Sequence, residues 1–378
     1  MSEWKEYKLG DIAEINMGQS PDSKYYNNSG RGLPFLQGNR TFGLKYPTID
    51  TYSTDAKKVA HRGDILFSVR APVGDINVAH TDICIGRGLC SLRIKNGNNS
   101  FLYYLLHFIR KIIINAESGT VFGSVSKRDL ENIEVYIPFS IDEQKQIASV
   151  LSSLDDKIDL LHRQNKTLEQ IAETLFRQWF VEDAEDGWEK GTIEDEFYFT
   201  MGQSPPGATL NETGTGLIFY QGSSDFSFRF PNPRVYTTAP TRIANKYETL
   251  VSVRAPVGDI NMAIDKCCLG RGVAAFRYKY DETFYSYTYY KLRSLMLLIK
   301  QFEDCGTVFG SIGKDDFKSI VNLIPPKRLI DEFQKSVRVL DDKVMLNSIQ
   351  IRTLTNLRDT LLPKLMSGEI RLNLDSQD

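Results

Sequence analysis

From Ile147 to Trp179 apolar positions advance by four and three without a break. Ile147, Leu154, Leu161, Leu168 and Leu175 fill one heptad position, and Leu151, Ile158, Asn165, Ala172 and Trp179 the other. Five heptads in one register predict a long helix with a coiled-coil seam. Ser140 and Glu143 read as its capping box. A second seam runs Phe333, Leu340, Asn347, Leu354, Leu361, interleaved with Val337, Val344, Ile351, Arg358 and Leu365. Pro363 should kink or end that helix, and Gly368 suits its C-cap. Two long single-striped helices most simply pack on each other, and the intervening fold-back favours an antiparallel pair. Asn165 and Asn347, one in each seam, are candidate register-setting residues that could face each other; each could equally be a polar gap.

Outside the seams the pattern changes. Short β-rich runs such as Asp64–Val69 alternate with Gly, Pro, Asn and Asp over roughly residues 1–98 and 188–281. An aromatic helix is expected at Phe101–Ala116, capped by Ser100, with a counterpart near Thr283–Phe302. A Gly-Thr-Val-Phe-Gly-Ser turn, a short helix near Lys127–Glu131 and a strand ending at Pro138 should follow.

The same order appears twice because the sequence itself does. Ser68-Val69-Arg70-Ala71-Pro72-Val73-Gly74-Asp75-Ile76-Asn77 returns letter for letter at 252–261. That offset also maps Met17–Pro21 onto Met201–Pro205, Phe35–Gly38 onto Phe219–Gly222, and Gly86-Arg87-Gly88 onto Gly270-Arg271-Gly272. A repeat of this size is a domain duplication rather than a solenoid. The expected fold is α+β: two pseudo-symmetric α/β heads joined by two long antiparallel coiled-coil helices. Head one takes residues 1–139, helix one 140–182, head two 183–326, helix two 327–370, and a tail 371–378.

Composition adds limits. The chain of 378 residues is 41% hydrophobic and 25% charged, with net charge −2, so any nucleic-acid surface must be a local patch. No apolar run is long enough for a bilayer, and Met-Ser-Glu-Trp-Lys is not the start of a signal peptide. The five cysteines form no CxxC pair and the four histidines lack ligand spacing, which points to reduced thiols, a cytoplasmic protein and no metal. The sequence holds no methyltransferase tetrad, Walker lysine or nucleophile elbow. A non-catalytic binding protein is the expectation. The acid pairs Asp155-Asp156 and Asp341-Asp342 read as a solvated or partner-docking helix face.

The duplicated order of variable domain and long helix resembles the specificity subunit of type I restriction–modification enzymes. Local signatures join it: Gly119-Thr120-Val121 leading to Ile137-Pro138, Asp142-Glu143-Gln144, Leu154–Ile158 and the ending Leu361–Ile370. Phe333 follows Glu332 where the first copy has Gln144 after Glu143, a local departure. The resemblance implies two target-recognition domains, each reading half of a bipartite double-stranded DNA site. The helices would set the spacing and dock two modification (methyltransferase) subunits. Those would carry S-adenosylmethionine; restriction subunits would bring ATP and Mg. The rival reading is a duplicated coiled-coil scaffold that binds only proteins.

Duplication also sorts the candidate DNA-binding residues. If two half-sites differ, residues shared by both copies cannot distinguish them. Gln19 and Gln203, Gln37 and Gln221, Arg70 and Arg254, and Arg87 and Arg271 are therefore scaffold, phosphate contacts or common base contacts. Arg70 and Arg254 could instead be buried and bond a turn. Discrimination should lie where the copies diverge. After the shared Gln-Gly the first copy carries Asn39, Arg40 and Lys45; the second carries Ser223, Ser224 and Arg229. Lys24 and Tyr25 face Gly207 and Ala208 in a second divergent loop. Arginine suits guanine and asparagine suits adenine in the major groove. Tyr103, Tyr104 and Phe108 read as core rather than a stacking platform.

Overall fold

In the computed structural model, which describes residues 3–115, 123–185, 187–301 and 310–372, the strand Ile65–Ser68 shows how the pattern builds a head. All four of its residues are buried. Ile65 and Phe67 join a core with Phe101, Leu102 and Leu105 of helix Asn99–Asn115; Leu66 joins a smaller core with Leu36, Ile83 and Ile85. Successive strand side chains point to opposite faces, so an unbroken apolar run is a strand covered on both sides.

Ile65–Ser68 lies inside an antiparallel four-stranded sheet, between Ile76–Val78 and Leu89–Ile94, with Ala13–Met17 beyond. A five-stranded sheet follows the order Tyr26–Asn27, Tyr52–Ser53, Leu33–Leu36, Ile83–Ile85, Val59–Ala60. Trp4–Lys8 pairs with Glu134–Pro138. The second head repeats all three sheets in the same strand order, centred on Thr249–Ser252. The one parallel pairing in each five-stranded sheet recurs too, Phe35 with Cys84 and Phe219 with Cys268. The architecture is the α+β arrangement expected.

Some local expectations change. The aromatic helix starts at Asn99, not Phe101. Asn98 caps it instead of Ser100, because the Asn98 side-chain carbonyl accepts the Phe101 N–H at 3.3 Å. Its counterpart is broken into Tyr285–Ser294 and Met296–Lys300. At the break, the Leu295 N–H is shared between the Lys291 and Leu292 carbonyls, a tightened turn. Ala116, Phe302, Cys305 and most of the duplicated Gly-Thr-Val-Phe-Gly-Ser block lie outside the described residues.

The two long helices are Ile141–Arg177 and Lys327–Met366. Ser140 Oγ accepts the Glu143 N–H at 3.4 Å, while the Glu143 carboxylate takes the Trp4 indole N–H at 3.1 Å. Pro363 does not end the second helix, which runs on to Met366. Gly368 then turns the chain at φ +75°, where a Cβ is unfavourable.

The chain divides into two units. Met1–Asp159 with Arg352–Asp378 forms one, and Leu160–Ile351 the other. In the first unit Ile147, Ala148 and Leu151 of one helix share a core with Leu365 and Met366 of the other. In the second, Ala172 and Phe176 share a core with Phe333, Val337 and Val344. The start of one helix thus packs with the end of the other, which is antiparallel pairing. The seam asparagines meet inside the second unit. Asn347 Nδ2 donates to Asn165 Oδ1 at 2.9 Å, and Asn165 Nδ2 donates to Ser348 Oγ at 3.2 Å.

Candidate nucleic-acid interface

The duplicated glycines exist because three segments touch backbone to backbone. A Cβ on Gly18 would fall 2.1 Å from the Gly86 carbonyl oxygen, and one on Gly88 2.6 Å from that of Gln37. Gly202 and Gly272 repeat this at 2.1 and 2.4 Å from Gly270 and Gln221. Any side chain would push these segments apart. The close approach puts Gln19, Gln37 and Arg87 on one exposed platform, and Gln203, Gln221 and Arg271 on another. Ser20 Oγ ties the first together: it donates to Gln37 Oε1 at 2.8 Å and accepts the Arg87 N–H at 3.2 Å. The Arg271 N–H donates to Ser204 Oγ at 3.3 Å in the second.

Arg70 and Arg254 enter beside these platforms, since the Val69 and Val253 N–H groups donate to the Gly88 and Gly272 carbonyls at 2.9 Å each. Both arginines are exposed, so the alternative of a buried turn-bonding arginine does not hold. Among the described residues none of Arg70, Arg87, Arg254 and Arg271 forms an ion pair. Each head therefore presents two guanidinium groups to solvent at matching places.

The divergent loop after Gln-Gly is pinned alike in both heads. Asn77 bonds both backbone polar groups of Gly43, at 3.2 and 2.9 Å; Asn261 does the same to Ser227, at 3.1 and 2.8 Å. The Val78 N–H donates to the Lys45 carbonyl at 2.8 Å, and the Met262 N–H to that of Arg229 at 2.9 Å. Within the loops the candidates separate. Asn39 is committed, its amide donating to the Asp75 carboxylate at 2.6 Å. Arg40 is exposed and pairs with Asp50 at 2.6 Å; such a surface pair is held weakly in water. Lys24, also exposed, lies 3.7 Å from Asp22 and 5.0 Å from the ring of half-buried Tyr25. Ser223–Asp225 forms a single tight turn that leaves Ser224 exposed and Ser223 half-buried. Buried Asp225 accepts the Gln221 N–H at 2.7 Å and holds exposed Arg234 at 3.3 Å.

Lys45 and Arg229 do something else. They occupy equivalent positions, and each reaches a long helix of its own unit. Lys45 Nζ lies 3.0 Å from Asp156. Arg229 is 1% exposed, with Nη2 2.6 Å from Asp341 and Nη1 3.4 Å from Glu169. Its guanidinium lies 3.3 Å from the centre of the Tyr289 ring. Burial works against the charge on Arg229, but neighbouring Asp341 prevails and holds its pKa above the usual arginine value. At Lys45 burial likewise opposes, and the Asp156 hydrogen bond raises the pKa. Arg229 is thus removed from the DNA-contact candidates: it lies beneath the surface with its fork on two carboxylates. Lys45 is half-buried and engaged.

The acid pairs are corrected with them. Asp155 and Asp341 are not a solvated face. Asp155 accepts the Tyr104 hydroxyl at 2.7 Å and pairs with Arg358 at 2.8 Å; Asp341 accepts the Tyr290 hydroxyl at 3.2 Å. These carboxylates fasten each head to its helices. Tyr103 and Tyr104 are buried core residues, and Phe108 packs against the same core.

Residues 1–170 match the family model for the type I restriction modification DNA specificity domain. Over that stretch the chain is similar to the specificity domains of type I restriction–modification enzymes. Similar proteins include the type I restriction enzyme HindI specificity subunit of Haemophilus influenzae, 25% identical over 98% of this chain and 100% of that one. The provisionally assigned type I restriction enzyme MjaX specificity subunit of Methanocaldococcus jannaschii is 27% identical over 98% and 94%. The crystal structure of a type I restriction–modification S subunit from M. genitalium shares the fold, with TM-score 0.66, 19% identity and 96% coverage of both chains.

Reading the sequence missed Arg234, Glu169 and the anchoring role of Asp155 and Asp341. One signal was available. Leu-Asp-Asp-Lys recurs in both helices while each preceding seam residue differs, and acids repeated beside an apolar seam can be buried partners. Among the described residues no helix is long and apolar enough to cross a membrane.

Proposed function

We propose that this chain is the DNA sequence-recognition subunit of a type I restriction–modification enzyme, each head reading one half of a bipartite duplex site. The observation that carries this is the twofold recurrence of one platform. Each copy holds two exposed arginines and two exposed glutamines at matching positions, beside a loop whose sequence differs. Shared arginines suit phosphates, which are the same in every sequence. Arg40 in the first loop, and Ser224 and Arg234 in the second, are the side chains left to discriminate bases. Lys24 and Tyr25 add to the first head only.

In this reading the helices set the distance between half-sites and dock two methyltransferase subunits, with restriction subunits joining the assembly in the cytoplasm. S-adenosylmethionine belongs to the methyltransferases, and ATP and Mg to the restriction subunits. The flipped adenine would be handled there, while this chain aims the reaction. A scaffold that binds proteins alone finds no support in the relatives, which carry the name of restriction-enzyme specificity subunits.

Gel shift of the chain with its methyltransferase partner on duplex DNA tests the proposal. Affinity should fall steeply with salt. Arg70→Gln and Arg254→Gln should each weaken binding on every sequence and reduce the salt slope by about one. Absence of binding at low salt would reject DNA recognition. The chain alone, supplied with S-adenosylmethionine, should transfer no methyl group.

A further inference from the structure

We propose that Arg229 and Lys45 are positioning residues that set the specificity of opposite half-sites, by clasping each divergent loop to the long helices. This rests on the DNA-recognition reading above. Both loops leave the same platform and are pinned at the same two backbone points, by Asn77 and Val78 or by Asn261 and Met262. Only five residues lie between Ser223 and Arg229, and between Asn39 and Lys45. The side chain at the end of each span therefore fixes where its tip can stand. Base readout through hydrogen bonds demands placement to a fraction of an ångström.

The two clasps differ in kind. Arg229 is a planar fork between Asp341 and Glu169, lying against Tyr289 and buried. Lys45 is one ammonium on Asp156, whose side chain is 68% exposed. A buried fork constrains orientation and escapes salt screening; a part-exposed ammonium does neither. The second loop is thus the rigid reader, and the first is held by a contact that salt loosens. Divergence at this position reflects how firmly a loop is seated, not which base it touches.

The test is enrichment of randomised duplex DNA by the chain with its methyltransferase partner, followed by sequencing and scoring each half-site separately. The wild type should enrich one split sequence. Lys45→Met should lower the preference for the correct base over single-base changes about tenfold in one half only. Arg229→Met, made with Asp341→Asn so that no carboxylate is stranded while Arg293 still pairs with Glu169 at 3.0 Å, should do so in the other half only. Arg229→Lys should fall between. Raising salt in the wild type should blur the Lys45-dependent half first. Broadening of the same half by both substitutions, uniform weakening with preferences unchanged, or wild-type preferences throughout would each overturn the proposal. Should the Arg229 variants fail to fold, Lys45→Met decides alone, since it removes a half-buried contact. Failure of the wild type to enrich any split sequence would instead reject the DNA-recognition reading, and this proposal with it.

Discussion

Glu196 is 0% exposed and has no equivalent charge in the first head. It accepts the Tyr287 hydroxyl and lies beside the Asn322 amide. Lys291 lies buried nearby, donating to the Leu323 carbonyl at 2.6 Å. In the first head the position matching Glu196 is Ile12, which packs against the apolar core. Burial raises the Glu196 pKa, against the opposing pull of Lys291, Tyr287 and Asn322. The folded state therefore holds this proton at pH values where the unfolded chain has lost it. Stability from this group is present below the ordinary carboxylate value of 4.5 and drains away as pH rises through the folded pKa. Glu196→Gln, measured by urea unfolding, should match the wild type near pH 4 and exceed it at neutral pH. Equal curves at both would show that the carboxyl is solvated. The same residue-scale lesson applies to Arg229. A sequence difference between the copies has two sources, reading and packing, and only burial tells them apart. Asn39 and Arg229 looked like readers because they diverge, yet Arg229 is buried on Asp341 and half-buried Asn39 donates to Asp75.

At the scale of elements, the long helices and their register were legible because a heptad stripe is a local signal. Asn165 meeting Asn347 follows from that stripe once the pair is antiparallel. The break at Leu295 was not legible, because Lys291, Leu292, Arg293 and Ser294 before it include no Gly or Pro and suit a continuing helix. Nor was the burial of Asp155, whose partners Tyr104 and Arg358 come from distant parts of the chain. The asparagine pair gives a clean test. Asn165→Leu should cost about 1–3 kcal/mol, because it strands a buried amide. Replacing both by leucine should recover most of that loss, a positive coupling in a double-mutant cycle followed by urea unfolding. Simple additivity would mean that the two side chains do not depend on each other.

For the whole molecule, duplication was the legible feature and pairing of the helices its consequence. What sequence could not supply was the partition into units, each of which takes one head with part of both helices. The proposed ruler belongs to this scale. One extra heptad in each helix, placed at Asp159–Leu160 and Ile351–Arg352, adds about 10 Å of rise. The preferred gap between half-sites should grow by about three base pairs, read by enrichment from DNA with randomised spacers. An unchanged gap would show that something other than helix length sets it.

The first unit closes on itself across the whole chain. Trp4 lies near Gly368 and has the Arg371 guanidinium 5.7 Å from its ring, while Leu365 and Met366 complete the core around Ile147. A ribosome makes residues 1–159 first and Arg352 onward last. At ordinary translation speeds that leaves roughly 10–40 s in which the earliest-made portion waits with apolar surface uncovered. The portion begun later is finished sooner. Nascent protein is most vulnerable to aggregation and proteolysis during that interval, at the end that was synthesised first.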